Sequence, residues 1–192
     1  MTKHILYLAS GNSRRFGTNK LLAELNGKPL YRHGLDVLQT VVREQADCTL
    51  TVVSQYAKIR QQVEHMGIPA VDSPDSPLGM SYTIRAGISS LQAVKKEDFL
   101  LFVVADQPYL QEKTIKQLLS LAHEGTQTAR AYFQDRPGNP ALFSAKFIPE
   151  LLALQGDAGG GAILKRHECT PVFVSDLREL MDIDTLEDLQ QS

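Results

Sequence analysis

The chain has 192 residues, of which 43% are hydrophobic and 22% charged. That is the balance of one globular domain, taken here as residues 1–192, with enough chain to bury a sizeable core. A formal net charge of -2 argues against a polyanion-binding surface, so nucleic acid is not an expected partner. Cys48 and Cys169 stand far apart in no metal-type spacing, which fits a reducing compartment better than a disulfide scaffold. No run approaches the ~20 apolar residues that span a bilayer. The first apolar run, residues 5–9, stops at Ser10-Gly11-Asn12 and is too short for a signal core. A soluble cytoplasmic protein without a membrane partner is expected.

In chain order, residues 4–9 read as a buried strand followed at once by a Gly-containing polar loop. Leu30, Leu35, Leu38, Val41 and Val42 fall near helical spacing and predict a helix over 30–43. The β-branched run 49–54 reads as a strand, 57–66 as a short helix and 69–72 as a short strand. Ser73-Pro74-Asp75-Ser76-Pro77 is rich in turn formers. Helical spacing returns over 81–94. Residues 99–105 form the most hydrophobic run and end in Asp106-Gln107-Pro108. A helix over 112–123 follows, with Ile115, Leu118, Leu119 and Ala122 on one face. Strands are expected at 129–133 and 141–143 beside a loop at 134–140. Helices are expected at 147–154 and 162–166, a last strand at 171–174, and a terminal helix from 184. Strands alternating with helices predict an α/β, Rossmann-like fold: a mainly parallel sheet with helices on both faces. Ligands of such sheets sit beyond the carboxyl ends of the strands. The polar and acidic segments after residues 9 and 105 lie there.

Five segments carry chemistry. The first runs from Leu8, Ala9, Ser10 and Gly11 through Ser13, Arg14, Arg15 and Gly17 to Lys20. Small residues let backbone amides approach phosphate oxygens, and the three cations add positive charge. Alone, such a loop reads first as a polar surface loop with solvated arginines. It lacks the Gly-Lys-Ser/Thr of a Walker A motif, and its glycines at 11 and 17 do not make the dinucleotide fingerprint, which argues against a nicotinamide oxidoreductase. In the second segment, 77–87, Gly79 and Met80 precede Ser81, which predicts an N-cap at Ser81 and a helix whose amides face an anion or a base edge. In the third, Asp106 follows a buried strand, well placed for a hard cation, although a capping or turn role fits that position too. The fourth comprises 137–143 and 156–161. The fifth, Met181-Asp182-Ile183-Asp184-Thr185, reads as a strand end with Asp184 or Thr185 capping a helix. The five histidines show no metal-ligand spacing.

The opening segment resembles the start of the MobA-like nucleotidyltransferases, and Gly11, Arg15 and Lys20 fall on that family's signature positions. Lys28 and Pro29 match its following Gly-Lys-Pro-Leu. Gly79-Met80-Ser81-Tyr82-Thr83 and Asp106-Gln107-Pro108 are similar to the molybdenum cofactor cytidylyltransferase branch. Asp182-Ile183-Asp184-Thr185 matches a further motif. Asn139 and Gly161 depart from the pattern, standing where the family carries His and Arg.

The resemblance implies a loop that wraps a triphosphate with Leu8, Ala9, Ser10, Gly11, Ser13, Arg14 and Lys20, and a base held by Gly79, Ser81 and Thr83. It implies Mg²⁺ at Asp106 and Asp182, with Asp184 structural, and Lys20 and Arg15 stabilising the leaving pyrophosphate. The implied reaction moves CMP from CTP to the terminal phosphate of molybdenum-bearing molybdopterin, with a molybdenum hydroxylase as the partner that would receive the product. A guanylyltransferase, a sugar-phosphate nucleotidyltransferase, or a non-catalytic protein delivering cofactor to molybdenum hydroxylases are the competing expectations.

Overall fold

The computed structural model describes residues 1–11 and 19–190. The expected triphosphate residues Ser13, Arg14 and Arg15 therefore lie outside the described residues.

Seven strands form one sheet: β1 (Lys3–Leu8), β4 (Cys48–Ser54), β5 (Ala70–Asp72), β6 (Phe99–Val104), β7 (Thr128–Phe133), β8 (Arg136–Ser144) and β9 (Cys169–Phe173). Their order is β5-β4-β1-β6-β8-β7-β9. Among the described strands of this sheet, β8 alone runs against the rest; β4, β5, β6 and β1 pair in parallel, as do β7 and β9. A two-stranded ribbon, β2 (Glu24–Leu25) and β3 (Lys28–Pro29), stands apart.

Alternation along the central strands sends side chains to two apolar layers. Ile5, Tyr7, Leu101 and Val103 face one layer, closed by helices α1 (Leu30–Glu44), α2 (Ala57–His65) and α4 (Glu112–Ser120) through Leu35, Leu38, Ile59, Ile115 and Leu118. Leu6, Leu8, Leu100 and Phe102 face the other, closed by α3 (Met80–Ser90), α5 (Ile148–Leu152) and α6 (Gly161–Leu164) through Ile84, Ile88, Leu151 and Ile163. A last helix, α7, covers Leu186–Gln190. Among the described residues no helix is long and apolar enough to cross a membrane. Both cysteines are free thiols, and burial pushes Cys48 up to about 11, so it stays protonated at neutral pH.

Several elements differ from their sequence reading. The expected loop at 134–140 is mostly ladder: Tyr132 pairs with Pro137 and Phe133 with Arg136, and only Gln134 and Asp135 turn. Pro137 and Pro140 have no amide to donate, which is why this stretch reads as loop, yet strand geometry tolerates them where no ladder bond is required. The helix expected over 81–94 starts at Met80 and stops at Ser90, where Leu91 turns extended. The helix expected over 162–166 is a single turn.

The chain leaves β1 for β4 and β5 on one side, then returns to lay β6 on the other side of β1. The order reverses between β1 and β6, and this switch point is where open α/β sheets hold ligands. Leu8 and Val104 are register partners at its mouth, so Ser10, Gly11 and Asp106 emerge side by side.

Candidate active site

The entry to the first loop is fixed by backbone and hydroxyl bonds. The Ala9 amide donates to the Val53 carbonyl, and its own carbonyl accepts from Ser54 Oγ at 2.6 Å, so buried Ala9 is tied to β4 through both backbone groups. Ser10 Oγ lies 2.7 Å from Ser73 Oγ and accepts from the Gln55 amide at 2.9 Å. Gln55 Nε2 donates to the Ser10 carbonyl, and the Tyr56 hydroxyl donates to the Gly11 carbonyl at 2.8 Å. The residues at and just past the ends of β4 and β5 thus hold Ser10 and Gly11 in place.

The loop returns at Lys20, whose side chain is almost wholly buried. Its Nζ donates to Asp106 Oδ2 at 2.9 Å and to Asp184 Oδ1 at 2.7 Å. Burial opposes the charge on Lys20, but Asp106 and Asp184 outweigh it and hold the ammonium above the ordinary lysine value. Residues 86 and 164 positions away in sequence therefore converge on one ammonium.

The segment carrying the second acid is zipped onto the end of β6. The Ile183 amide donates to the Asp106 carbonyl at 2.9 Å, and buried Gln107 donates from Nε2 to Asp182 Oδ1 at 2.9 Å and to the Leu180 carbonyl at 3.2 Å. Asp182 keeps an exposed edge, yet protein crowding first and the like charge of Asp106 second raise its pKa to about 6. Asp184 does not cap the final helix. That work falls to Thr185, whose Oγ1 accepts from the Asp188 amide while Asp188 Oδ2 accepts from the amides of Asp184 and Thr185. Asp184 instead forms an ion pair with Lys20.

Beside this cluster opens a cavity of about 250 Å³, walled by Ser10, Gly11, Gly79, Met80, Thr83 and Asp157 among others. Its far end is set by buried Thr83, whose Oγ1 lies 2.7 Å from Ser76 Oγ. Ser81 is not the N-cap the sequence reading expected. Gly79 occupies that position, and Ser81 is the second residue of the helix, fully buried, with its amide committed to the Gly156 carbonyl and its hydroxyl without a partner among the described residues. Gly79 has φ +137°, and a Cβ there would stand 2.3 Å from the Gly156 backbone. Only glycine lets the 156–157 loop close over the start of α3.

Residues 5–171 match the MobA-like NTP transferase domain. The chain belongs to that family. It is 27% identical over 202 residues to the purine catabolism protein PucB of Bacillus subtilis (strain 168), covering 95% of this chain and 92% of that protein. It is 28% identical over 202 residues to the molybdenum cofactor guanylyltransferase of Shewanella putrefaciens, covering 100% and 97%. In fold it is similar to Rv0371c of Mycobacterium tuberculosis H37Rv, with TM-score 0.81 at 21% identity over 99% of this chain and 96% of that one. A nucleotidyl transferase of Methanothermobacter thermautotrophicus superposes with TM-score 0.80 at 17% identity over 99% and 95%.

For a MobA-like nucleotidyltransferase, the described structure brings Leu8, Ser10, Gly11, Gly79, Thr83, Lys20, Asp106 and Asp182 to one end of the sheet. It adds residues the sequence reading did not single out, Gln55 and Tyr56 behind the loop and Ser76 behind Thr83, and it puts Asp184 on Lys20. Gln55 and Tyr56 directly follow the predicted strand 49–54, so their place at a strand end was the one available signal.

Proposed function

We propose that the protein transfers CMP from CTP to the terminal phosphate of molybdenum-bearing molybdopterin. An acceptor phosphate oxygen bonds to the α-phosphorus, the bond from that phosphorus to the bridging oxygen breaks, and pyrophosphate leaves with the electron pair. The attacking oxygen is already anionic, so no general base is required. The work is positioning and charge neutralisation. The observation that carries this reading is the meeting of Lys20, Asp106 and Asp184 at the β1/β6 switch point, beside a hydroxyl-lined cavity.

Asp106 and Asp184 already bracket a cation, the Lys20 ammonium, so their donor chemistry suits a hard ion. Among the described residues no three metal-ligating side chains converge. One or two carboxylates with substrate phosphates as the remaining ligands is the usual arrangement of Mg²⁺. Asp106 with Asp182 would hold that ion, which would supply charge neutralisation and polarisation at the α-phosphate. Lys20, released from its carboxylates, neutralises the departing pyrophosphate, and outer residues Ser76 and Thr83 orient the base. Arg15, outside the described residues, takes the same role on the family resemblance.

The name of the Shewanella relative supports the acceptor class and favours a second reading in which GTP is the donor. Cytidine rests on Gln107 and on the 79–83 stretch. Pyrophosphate release with each NTP, with and without molybdopterin, separates them. Acceptor-dependent release fastest with CTP is expected; equal or faster release with GTP makes the protein a guanylyltransferase. No acceptor-dependent release with any NTP overturns the catalytic reading and leaves cofactor delivery to a molybdenum hydroxylase.

A further inference from the structure

A second cavity, of about 310 Å³, adjoins the first, and Leu8, Met80 and Asp157 wall both. Its size is within the range of small-molecule pockets. Ile84, Phe102 and Phe143 give it an apolar floor, the two phenylalanines meeting edge to face at 5.8 Å. Its polar lining includes Arg130 from β7, Asn139 from β8 and Asp157. The hairpin register sets the first two together, because Arg130 pairs with Ala141, two residues beyond Asn139.

Arg130 is half-buried. Its Nε donates to the Gly138 carbonyl at 2.9 Å, and this is the one hydrogen bond its guanidinium makes among the described residues. Asp157 lines the same cavity without forming an ion pair with it, and the Tyr132 ring lies 6.0 Å away, at the limit of a cation–π contact. Partial burial disfavours the charged form and lowers the arginine's pKa. A guanidinium withdrawn from water with its two terminal nitrogens uncommitted is an expensive arrangement unless an anion completes it. Its planar fork matches a phosphate bidentately.

We infer that the second cavity seats the acceptor, and that Arg130 binds a negatively charged group on it. This assignment rests on the nucleotidyl-transfer reading, since it supplies the second substrate's place beside the nucleotide. It names the acceptor class by chemistry: a small anionic phosphate ester.

The test measures molybdopterin binding to the full-length protein without nucleotide, and Mg-CTP and Mg-GTP binding separately, for wild type, Arg130→Gln and Arg130→Lys. Arg130→Gln is expected to weaken molybdopterin binding about tenfold or more, the loss typical of a charge-assisted contact. Arg130→Lys keeps the charge without the fork and should fall between. Nucleotide affinity should not change, and Arg130→Gln should melt no lower than wild type, because it removes an uncompensated charge. In turnover the effect should fall on the acceptor's KM more than on kcat. Molybdopterin affinity unchanged in Arg130→Gln, no molybdopterin binding by wild type, or an equal loss of nucleotide affinity would each overturn the assignment. Failure of wild type to bind any nucleotide overturns the nucleotidyl-transfer reading instead, and the molybdopterin arm still decides Arg130.

Discussion

Replacing Lys20 by methionine removes the ammonium and keeps the apolar stem. The side chains of Lys20, Asp106 and Asp184 are 6%, 22% and 54% exposed, so the two carboxylates lose their counter-ion in different settings. Orphaning a fully buried charge costs about 3–5 kcal/mol, whereas losing an exposed pair costs about 0–1 kcal/mol. Asp184 rehydrates and belongs with the second class; Asp106 lies between the two. The expected destabilisation is about 2 kcal/mol, a fall in Tm of about 4–8 °C for a chain of this size. Because the folded-state pKa of Lys20 lies above the unfolded value, the ion pair is fully formed at neutral pH and is lost only as alkali passes the folded value. The deficit should therefore be constant from about pH 6 to 9. Loss of a donor aimed at developing charge lowers kcat by about 10²–10³-fold. Thermal melting and pyrophosphate release measure the two effects independently. A variant that melts with wild type and turns over within about threefold of it would refute both the ion-pair estimate and the assigned role.

Asp106→Asn is nearly isosteric and should abolish turnover more completely than nucleotide binding across a Mg²⁺ titration, with Asp182→Asn behaving alike; near-normal turnover in Asp106→Asn would remove the metal from the account. Asp184→Asn, at a half-exposed pair, should cost under about 1 kcal/mol in melting. Gly79→Ala must place a Cβ against the Gly156 backbone at positive φ and should destabilise by about 3 kcal/mol while weakening nucleotide binding; a variant that melts normally would show that the 156–157 loop yields freely. At the opposite end of the sheet, burial tends to raise Asp98, but the amides of Lys95 and Thr2 together with His4 outweigh it and hold the carboxyl below its usual range. Its contribution is present above the unfolded carboxylate pKa and lost as pH falls through the lower folded value. Asp98→Asn should thus cost about 1–3 kcal/mol at pH 7 and progressively less below pH ~4, read by denaturant melts at each pH; a pH-independent deficit would contradict this.

The sequence alone determined the sheet's central strands and their helical partners. Their signal is local: Ile5–Leu8 and Phe99–Val104 are continuous apolar runs, and Leu30, Leu35 and Leu38 repeat with the period of the face they bury. Lys20, Asp106 and Asp182 were marked by their resemblance to MobA-like motifs; by themselves a polar loop, a turn and a strand end fit those positions as well. The Asn26-Gly27 turn, with φ of 51° and 74°, is a hairpin signal that was equally legible and passed unread. The reversed direction of β8 was hidden by Pro137 and Pro140, whose missing amides imitate a loop.

What only the tertiary structure decided is which distant residues share a charge. Whether Asp182 or Asp184 meets Lys20 depends on the phase in which the C-terminal segment docks, and that phase is set by Ile183 donating to the Asp106 carbonyl and Gln107 holding Asp182. The same is true of Arg130. In the sequence it is one cation between two alanines, Ala129 and Ala131. In the fold it is a half-buried guanidinium without a carboxylate partner among the described residues, because hairpin register and a neighbouring apolar floor, not local spacing, determine what surrounds it.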